Sequence, residues 1–235
     1  MSKIVILCGG RGHRLKPLTS NIPKPLVVLD GKPILQHTIE FYITKGFRNF
    51  ILCVGFKAEA VERFVFSCNF DADIQISNAG EDAGILKRLY VARNLFSGKA
   101  IVTYGDTFIN INPYDILERH NNSKADLTIT VADIRSPFGL VEADKHDKVT
   151  FFKEKPYFLY YIGHMIMEKR ALDEADPAFV SMPDGEGLVK FFQALIKEKR
   201  INAYKHEGFK ITFNTPQELE IAEKEFIRFF TENIL

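Results

Sequence analysis

Three glycines and an arginine follow the first apolar run of the chain. Gly9, Gly10 and Gly12 allow the backbone to approach a phosphate group closely, because glycine has no Cβ. Arg14 adds a planar guanidinium that can contact two phosphate oxygens at once, which no backbone amide can do. The apolar run before them spans residues 3–8 and includes Leu7, which is a further expected nucleotide contact, because open α/β sheets bind ligands beyond the carboxyl ends of their strands. The segment is therefore predicted to bind a nucleotide.

Loops of this kind occur in several classes of protein. A Walker phosphate-binding loop is excluded because no Gly-Lys-Ser or Gly-Lys-Thr closes the motif. A dinucleotide-binding turn fits in part, since Gly10-x-Gly12 is followed by Asp30 at a suitable distance. Leu15 stands where its third glycine would be, and Pro17 interrupts the helix that would bind the pyrophosphate. From this loop alone, a dinucleotide site and a purely structural turn both stay open.

A lysine between two prolines strengthens the nucleotide prediction. Pro23 and Pro25 restrict the backbone on both sides of Lys24, so less conformational entropy is lost when its ammonium meets a phosphate. Together with the glycine loop, this segment resembles the signature of the sugar-phosphate nucleotidyltransferases. That signature reads Gly-Gly-x-Gly-x-Arg-Leu-x-Pro-Leu-Thr, then Pro-Lys-Pro, then Gly-x-Pro, and residues 7–35 match it at every polar position.

The resemblance implies roles for several charged residues. Arg14 would hold the β- and γ-phosphates of a nucleoside triphosphate, while Lys24 and Lys155 would hold the α-phosphate and the acceptor phosphate. Lys155 and the adjacent Glu154 belong to a Glu-Lys-Pro sequence that resembles the family's phosphate-binding element. Asp106 follows a predicted strand, as the metal-binding aspartate of the family does, and would bind Mg²⁺ or Mn²⁺. The nucleophile would be an ionised phosphate, which needs no general base.

The resemblance also suggests which nucleotide is the donor. Residues 84–88 are most similar to the cytidylyltransferase branch of the family, so the expected donor is CTP. Base choice would depend on backbone groups near Gly9 and in the loop that runs from Asn78 and Ala79 to Gly84. The alternative outside the enzymes is a nucleotide-binding regulatory homologue.

Two departures from the family pattern concern the acceptor and the metal. Sugar-using relatives carry an Asn-Gly-Gly-like turn that contacts sugar hydroxyls, whereas this chain has Tyr161 and His164 there, as expected acceptor contacts. A second metal-ligating aspartate is replaced by Asn214, which offers a carbonyl oxygen without the charge. The expected acceptor is therefore a small non-sugar phosphate, by resemblance L-glutamine phosphate used to build a capsular phosphoramidate. Glucose 1-phosphate with CTP, and heptose or mannose 1-phosphate with GTP, are the alternatives.

The elements that must position these residues alternate in the first half of the chain. Apolar runs predict strands at 3–8, 50–54, 74–76 and 100–104, and helical spacing predicts helices at 34–46, 58–66 and 85–96. Such alternation is typical of an α/β fold with a Rossmann-like, mostly parallel sheet flanked by helices. The resemblance implies the nucleotide-diphospho-sugar transferase type of this fold.

The second half of the chain changes its pattern. After a helix that begins at Pro113, strands are predicted at 127–131, 139–142, 149–152 and 159–167, as a small antiparallel lobe or edge of the sheet. Helices at 188–197 and 216–231 would flank a strand at 201–204. The prediction is one domain, 1–235, with a nucleotide-binding half at 1–112 and an acceptor-binding half at 113–235.

Composition limits the classes of partner. The 235 residues carry a formal net charge of +1, so no global field favours nucleic acid or an anionic membrane. Three cysteines without Cys-x-x-Cys spacing favour a reducing compartment. The short apolar run near the N-terminus resembles neither a signal peptide nor a membrane span, so a cytoplasmic location is expected. Apolar residues on the late strands suit either a core or the interface of a homo-oligomer.

Overall fold

The computed structural model describes residues 2–232, so Met1 and residues 233–235 of the predicted domain lie outside the described range. The strands are β1 (Lys3–Leu7), β2 (Val28–Leu29), β3 (Lys32–Pro33), β4 (Asn49–Val54), β5 (Asp73–Asn78), β6 (Lys99–Tyr104), β7 (Thr107–Ile109), β8 (Leu127–Arg135), β9 (Leu140–Ala143), β10 (Val149–Lys153), β11 (Tyr157–Glu168), β12 (Ile201–Lys205) and β13 (Lys210–Thr212). The helices are α1 (Ile34–Thr44), α2 (Ala58–Ser67), α3 (Ile85–Ala92), α4 (Pro113–Ser123), α5 (Lys169–Asp173), α6 (Pro177–Val180), α7 (Glu186–Lys197) and α8 (Pro216–Glu232).

Seven strands form the central sheet in the order β12-β8-β11-β6-β1-β4-β5. The neighbours β6, β1, β4 and β5 are parallel, as the alternation of strands and helices predicts. β11 is antiparallel to both β6 and β8, and β12 is parallel to β8 at the edge. The predicted Rossmann-like, mostly parallel sheet is therefore confirmed.

The antiparallel part of the molecule divides in two. β8 and β11 extend the central sheet, whereas β9 and β10 pair as a separate hairpin. Two further small antiparallel pairs join β2 with β3 and β7 with β13. Each of these four strands has two or three residues, which is too short to show a period in the sequence.

The central sheet is buried on both faces. Along β1, Ile4 and Ile6 contact the core beneath α1 and α2, whereas Val5 contacts the core beneath α3 and α7. Successive side chains of a strand point to opposite faces, so one short apolar run serves both cores. All three side chains are fully buried, and each such burial contributes about 1.5–3 kcal/mol. The sheet is thereby a rigid support for the loops at its ends.

A third apolar core holds the C-terminal helix against β7. Phe108 of β7 is buried against Phe226 of α8, with ring centroids 5.3 Å apart in an edge-on arrangement. Phe213, just before α8, is fully buried in the same core. Asp106 directly precedes β7 and Asn214 directly follows Phe213, so this core brings the two polar residues together.

Helix boundaries follow local signals. α1 begins directly after Pro33 and ends before Gly46, whose φ of 85° suits only a residue without a Cβ. α4 begins at Pro113, and the side chain of Asn112 caps it by accepting the backbone N–H of Tyr114 at 3.1 Å. Helix α3 is shorter than predicted, because residues 93–95 form a 3₁₀ turn. No helix within residues 2–232 is long and apolar enough to cross a membrane.

Candidate nucleotide and acceptor site

A cavity of about 780 Å³ opens at the carboxyl ends of β1 and β6. Its size lies within the usual range of small-molecule sites. The glycine loop forms one wall, and both predicted halves of the chain contribute to the lining. The lining includes Leu7, Gly9, Gly10, Gly12, Arg14, Lys24, residues 81–83, Arg88, Asp106, residues 183–185 and Asn214.

Two glycines of the loop have no room for a side chain. Gly12 has a φ of 60°, in the left-handed region that favours glycine, and a Cβ there would lie 3.1 Å from Cγ2 of Thr19. The Thr19 hydroxyl donates a hydrogen bond to the Gly12 carbonyl oxygen at 2.8 Å and holds the turn closed. A Cβ on Gly9 would lie 2.2 Å from a guanidinium nitrogen of Arg88. The loop therefore presents bare backbone to the cavity.

Arg88 of α3 connects three segments around this cavity. Its side chain is 5% exposed and donates hydrogen bonds to the carbonyl oxygens of Val54 at 2.6 Å, Glu81 at 3.0 Å and Gly9 at 3.2 Å. Burial lowers the pKa of the Arg88 guanidinium from its usual value. One planar donor group thus sets the positions of three separate loops.

Four polar side chains form one hydrogen-bonded cluster in this cavity. Lys24 Nζ lies 2.5 Å from Oδ2 of Asp106 and 3.1 Å from Oδ1 of Asn214. Arg14 donates a hydrogen bond to the same Asn214 oxygen at 2.8 Å. The Glu218 carboxylate accepts the backbone N–H of Asn214 at 2.6 Å and fixes that residue. The structure thus brings together four residues that the resemblance places in one site.

Asp106 and Asn214 offer a carboxylate and an amide oxygen to a divalent cation. Mg²⁺ is usually bound through one or two carboxylates, with waters and substrate phosphates as its other ligands. Residues 2–232 contain no group of three or more His, Cys, Asp or Glu side chains arranged to hold a metal. The pair therefore fits a cation shared with a nucleotide better than one held by protein alone. In this arrangement the Lys24 ammonium supplies the positive charge between the two oxygens.

A second cavity of about 550 Å³ borders the first. Arg14, Tyr104, Asp106 and Asn214 line both cavities, so ligands in the two would meet beside Asp106. The rest of the lining of the second cavity includes residues 160–163 of β11, residues 210–212 of β13, and Glu218, Ile221, Ala222 and Glu225 of α8.

Two tyrosines line the second cavity next to this junction. The rings of Tyr104 and Tyr161 meet edge-on with centroids 6.1 Å apart. Burial raises the pKa of Tyr104 to about 12 and raises the pKa of Tyr161 well above its usual value. Both phenols are therefore neutral at physiological pH, and the buried Tyr161 hydroxyl has no hydrogen-bond partner among the described residues.

A model of the nucleotidyl transferase family matches residues 3–161. The chain belongs to this family. The probable glucose-1-phosphate cytidylyltransferase of Bacillus subtilis is 28% identical, over 92% of this chain and 93% of its own. The D-glycero-alpha-D-manno-heptose 1-phosphate guanylyltransferase of Aneurinibacillus thermoaerophilus is also 28% identical, over 94% of this chain and 96% of its own. The names of these relatives specify two different bases.

A solved structure agrees with this membership at the level of fold. HddC from Yersinia pseudotuberculosis, complexed with GMP-PN, is similar with a TM-score of 0.74 and 24% identity. The similarity covers 96% of this nucleotidyltransferase and 100% of that chain.

Three residues predicted to line the nucleotidyltransferase's donor site lie just outside the cavity. Asn78 and Ala79 are not in its lining, whereas residues 81–83 of the same loop are. Gly84 lies beneath a neighbouring segment, because a Cβ there would lie 2.4 Å from the carbonyl oxygen of Met182. The loop between Asn78 and Gly84 therefore borders the cavity as predicted, but residues 81–83 line it and the predicted residues do not.

The predicted phosphate element lies apart from both cavities. Glu154 and Lys155 form the exposed turn between β10 and β11, and neither residue lines the first or the second cavity. The Lys155 ammonium lies 3.9 Å from the Glu154 carboxylate. The role of Lys155 in holding an acceptor phosphate stays a prediction.

His164 is a core residue and not an acceptor contact, which corrects the sequence expectation. Its ring is fully buried, with Nε2 3.0 Å from the Tyr42 hydroxyl and Nδ1 2.8 Å from the Thr130 hydroxyl. Burial lowers the pKa of His164 to about 3, and a second histidine nearby adds to the effect. His164 shares a face of β11 with Ile162 and lies opposite Tyr161, because side chains of a strand alternate. Tyr161 does line the second cavity.

Other residues of the cavities carry no motif. Arg11 pairs with Glu81 and Asp82, each at 2.8 Å, and so connects the glycine loop to the loop opposite. Lys210 and Glu225 line the second cavity without any sequence signature of their own. In the sequence, only helical spacing connects some of these residues: positions 218, 221, 222 and 225 lie on a single face of a helix.

Proposed function

We propose that this nucleotidyltransferase transfers a nucleoside monophosphate, preferably CMP from CTP, to a small phosphorylated acceptor and releases pyrophosphate. The observation that carries the proposal is the meeting of Arg14, Lys24 and Asp106 where the two cavities join. The first cavity has the size and the bare backbone that a nucleoside triphosphate needs. The smaller second cavity is the place for the acceptor.

The proposed reaction needs correct placement and charge more than covalent help from the protein. An oxygen of the acceptor phosphate forms a bond to the α-phosphorus, and the bond from the α-phosphorus to the bridging oxygen breaks as pyrophosphate leaves. Lys24, only 7% exposed, would contact the α-phosphate, and Arg14 would contact the β- and γ-phosphates. An acceptor phosphate is already ionised at neutral pH, so no side chain has to remove a proton.

Asp106 and Asn214 would hold Mg²⁺ or Mn²⁺ together with phosphate oxygens. Such a cation, when bound, offsets the negative charge that develops on pyrophosphate. Because the Lys24 ammonium contacts both side chains, its movement towards the α-phosphate would release their oxygens. Asn214 would be the weaker ligand of the two, since its oxygen carries no formal charge.

The choice of CTP rests on resemblance. Residues 84–88 are similar to the cytidylyltransferase branch, and the Bacillus subtilis relative is named for cytidylyl transfer. GTP is the second candidate, because the Aneurinibacillus relative is named for guanylyl transfer.

The proposed acceptor is a non-sugar phosphate, with L-glutamine phosphate as the first compound to test. Tyr161 lines the second cavity at the place where sugar-using relatives have an Asn-Gly-Gly-like turn. A site that loses donors to sugar hydroxyls discriminates against sugars. A hexose or heptose 1-phosphate is the second candidate, because the names of both similar relatives specify sugar 1-phosphates.

The test is a pyrophosphate-release assay that crosses four nucleoside triphosphates with L-glutamine phosphate, phosphocholine, glucose 1-phosphate and mannose 1-phosphate. The proposal expects the highest kcat/KM for CTP with L-glutamine phosphate. A sugar 1-phosphate that is better by roughly tenfold, or 1.4 kcal/mol, would select the second candidate. Absence of pyrophosphate in every combination would contradict the proposed activity.

A further inference from the structure

Besides Arg14 and Glu218, which are hydrogen-bonded to Asn214, and Asp106, which pairs with Lys24, two charged side chains line the second cavity. They are Lys210 and Glu225, and neither belongs to an ion pair within the described part of the chain. The Lys210 ammonium lies 5.9 Å from the ring centroid of Tyr160. By contrast, Glu218 in the same cavity already accepts a backbone N–H at 2.6 Å.

Rigid elements hold these two charges in place. Lys210 is the first residue of β13, which pairs with β7 directly after Asp106. Glu225 lies on the face of α8 that carries Glu218, Ile221 and Ala222, and these positions follow i, i+3, i+4, i+7 spacing. The third apolar core fixes α8 against β7. The charges are therefore parts of a formed cavity and not ends of mobile loops.

The lining of the second cavity also contains aliphatic residues. Ile221 is exposed on α8, whereas Ile162, Ile211 and Ala222 are at most 7% exposed. A ligand that pairs with both Lys210 and Glu225 carries a negative and a positive group of its own.

We propose that the second cavity binds an acceptor that is a zwitterion apart from its phosphate, as a phosphorylated amino acid is. Lys210 binds the carboxylate and Glu225 binds the ammonium, while the phosphate lies at the junction beside Arg14. The inference rests on the proposed function for the identity of this cavity, and it adds two specificity residues to it. A purely cationic acceptor leaves Lys210 without a partner, and a hexose phosphate leaves both charges without one.

The test uses acceptors that differ by single groups. O-phospho-L-serine carries both charged groups, phosphoethanolamine lacks the carboxylate, 3-phosphopropionate lacks the ammonium, and glucose 1-phosphate lacks both. Each is measured by isothermal titration for binding and by pyrophosphate release with CTP. Binding is a separate readout, so failure of the proposed transfer and failure of the zwitterion site can be told apart.

The expected pattern is selective. Glu225→Gln weakens binding of phosphoserine and phosphoethanolamine roughly tenfold and leaves 3-phosphopropionate unchanged, because one charge-assisted contact is lost. Lys210→Gln weakens phosphoserine and 3-phosphopropionate and leaves phosphoethanolamine unchanged. Glu220→Gln and Lys224→Gln, which remove the same charges from α8 outside the cavity lining, change nothing.

The outcomes that overturn the inference are equally specific. The inference is wrong if glucose 1-phosphate binds as tightly as phosphoserine, whether or not transfer is observed. It is also wrong if Glu225→Gln and Lys210→Gln weaken binding of all four acceptors equally, since that would indicate a general loss of structure. Far-UV circular dichroism of every variant checks that the fold is intact.

Discussion

The two cavities differ in how their charges are balanced. In the first, Lys24 is paired with Asp106, and Arg14 is hydrogen-bonded to Asn214. In the second, Lys210 and Glu225 have no ionic partner within the described residues. A charge that already has a partner within the protein needs none from the ligand, whereas the charges of Lys210 and Glu225 are open to pairing with a ligand. The difference suggests that the first cavity carries chemistry shared within the family and that the second carries specificity.

The largest effect is expected at Lys24 in the first cavity. Lys24→Ala should lower kcat by roughly 100-fold or more, the size expected for one preorganised contact to a reacting phosphate. Lys32→Ala is the matched control, because Lys32 also lies next to a proline but forms only an exposed pair with Glu40. Steady-state kinetics and far-UV circular dichroism check both variants. Wild-type turnover in Lys24→Ala would contradict the proposed contact between Lys24 and the α-phosphate.

A second prediction concerns the metal. Asp106→Asn should lower activity at least about tenfold, because a neutral ligand leaves the charge of pyrophosphate less well balanced. Asn214→Asp should act in the other direction and lower the Mg²⁺ concentration for half-maximal activity, since it adds a carboxylate. Titration of activity with Mg²⁺ after removal of metal by EDTA measures both. Full activity in excess EDTA would contradict the assignment of Asp106 and Asn214.

A third prediction separates the two cavities through Arg88. Arg88→Met should raise KM for the nucleotide by about tenfold, because the carbonyl oxygens of Gly9, Val54 and Glu81 lose their shared donor. KM for the acceptor should stay unchanged, since Arg88 does not line the second cavity. Stability should also fall by about 2 kcal/mol or more, or roughly 4–8 °C in Tm. Equal increases in both KM values would show that the two cavities are not independent.

The last prediction concerns stability alone, in the core behind β11. The folded pKa of His164 is about 3, below the value of about 6.5 for an unfolded chain. Its contribution to stability is therefore complete above pH 6.5 and declines as the pH falls from there towards 3. Between pH 7 and pH 5 the loss should reach about 2 kcal/mol. Urea unfolding at both pH values should show a smaller loss in His164→Gln than in wild type.

The exposed His146 provides the control for this prediction. His146→Gln should keep the pH dependence of wild type. A wild-type slope in His164→Gln would show that other groups cause the loss of stability at low pH.

Sequence patterns predicted the glycine loop and Lys24 of the first cavity because backbone geometry restricts residue type there. A left-handed turn at Gly12 and the close contact between Gly9 and the Arg88 side chain favour glycine. Prolines on both sides of Lys24 mark the sequence in the same way. The alternation of strands and helices likewise predicted the parallel half of the sheet, because apolar spacing is a local signal.

The second cavity could not be predicted in the same detail. Lys210 starts a three-residue strand and Glu225 lies on a charged helix, and neither residue type is unusual on a surface. Their place in a cavity beside Asp106 depends on the pairing of β13 with β7, which joins residues about a hundred positions apart. The prediction for His164 was wrong because side chains alternate along β11, and this alternation directs the His164 ring to the core.

The most direct test of the account is the product of a single incubation with CTP, Mg²⁺ and a phosphorylated amino acid. Pyrophosphate is measured by a coupled assay and the nucleotide product by mass spectrometry. The account predicts one CMP-linked acceptor for each pyrophosphate released by wild type, and loss of both products together in Lys24→Ala. Tight binding of CTP without either product, for this acceptor and for sugar 1-phosphates, would contradict it and indicate a regulatory nucleotide-binding protein.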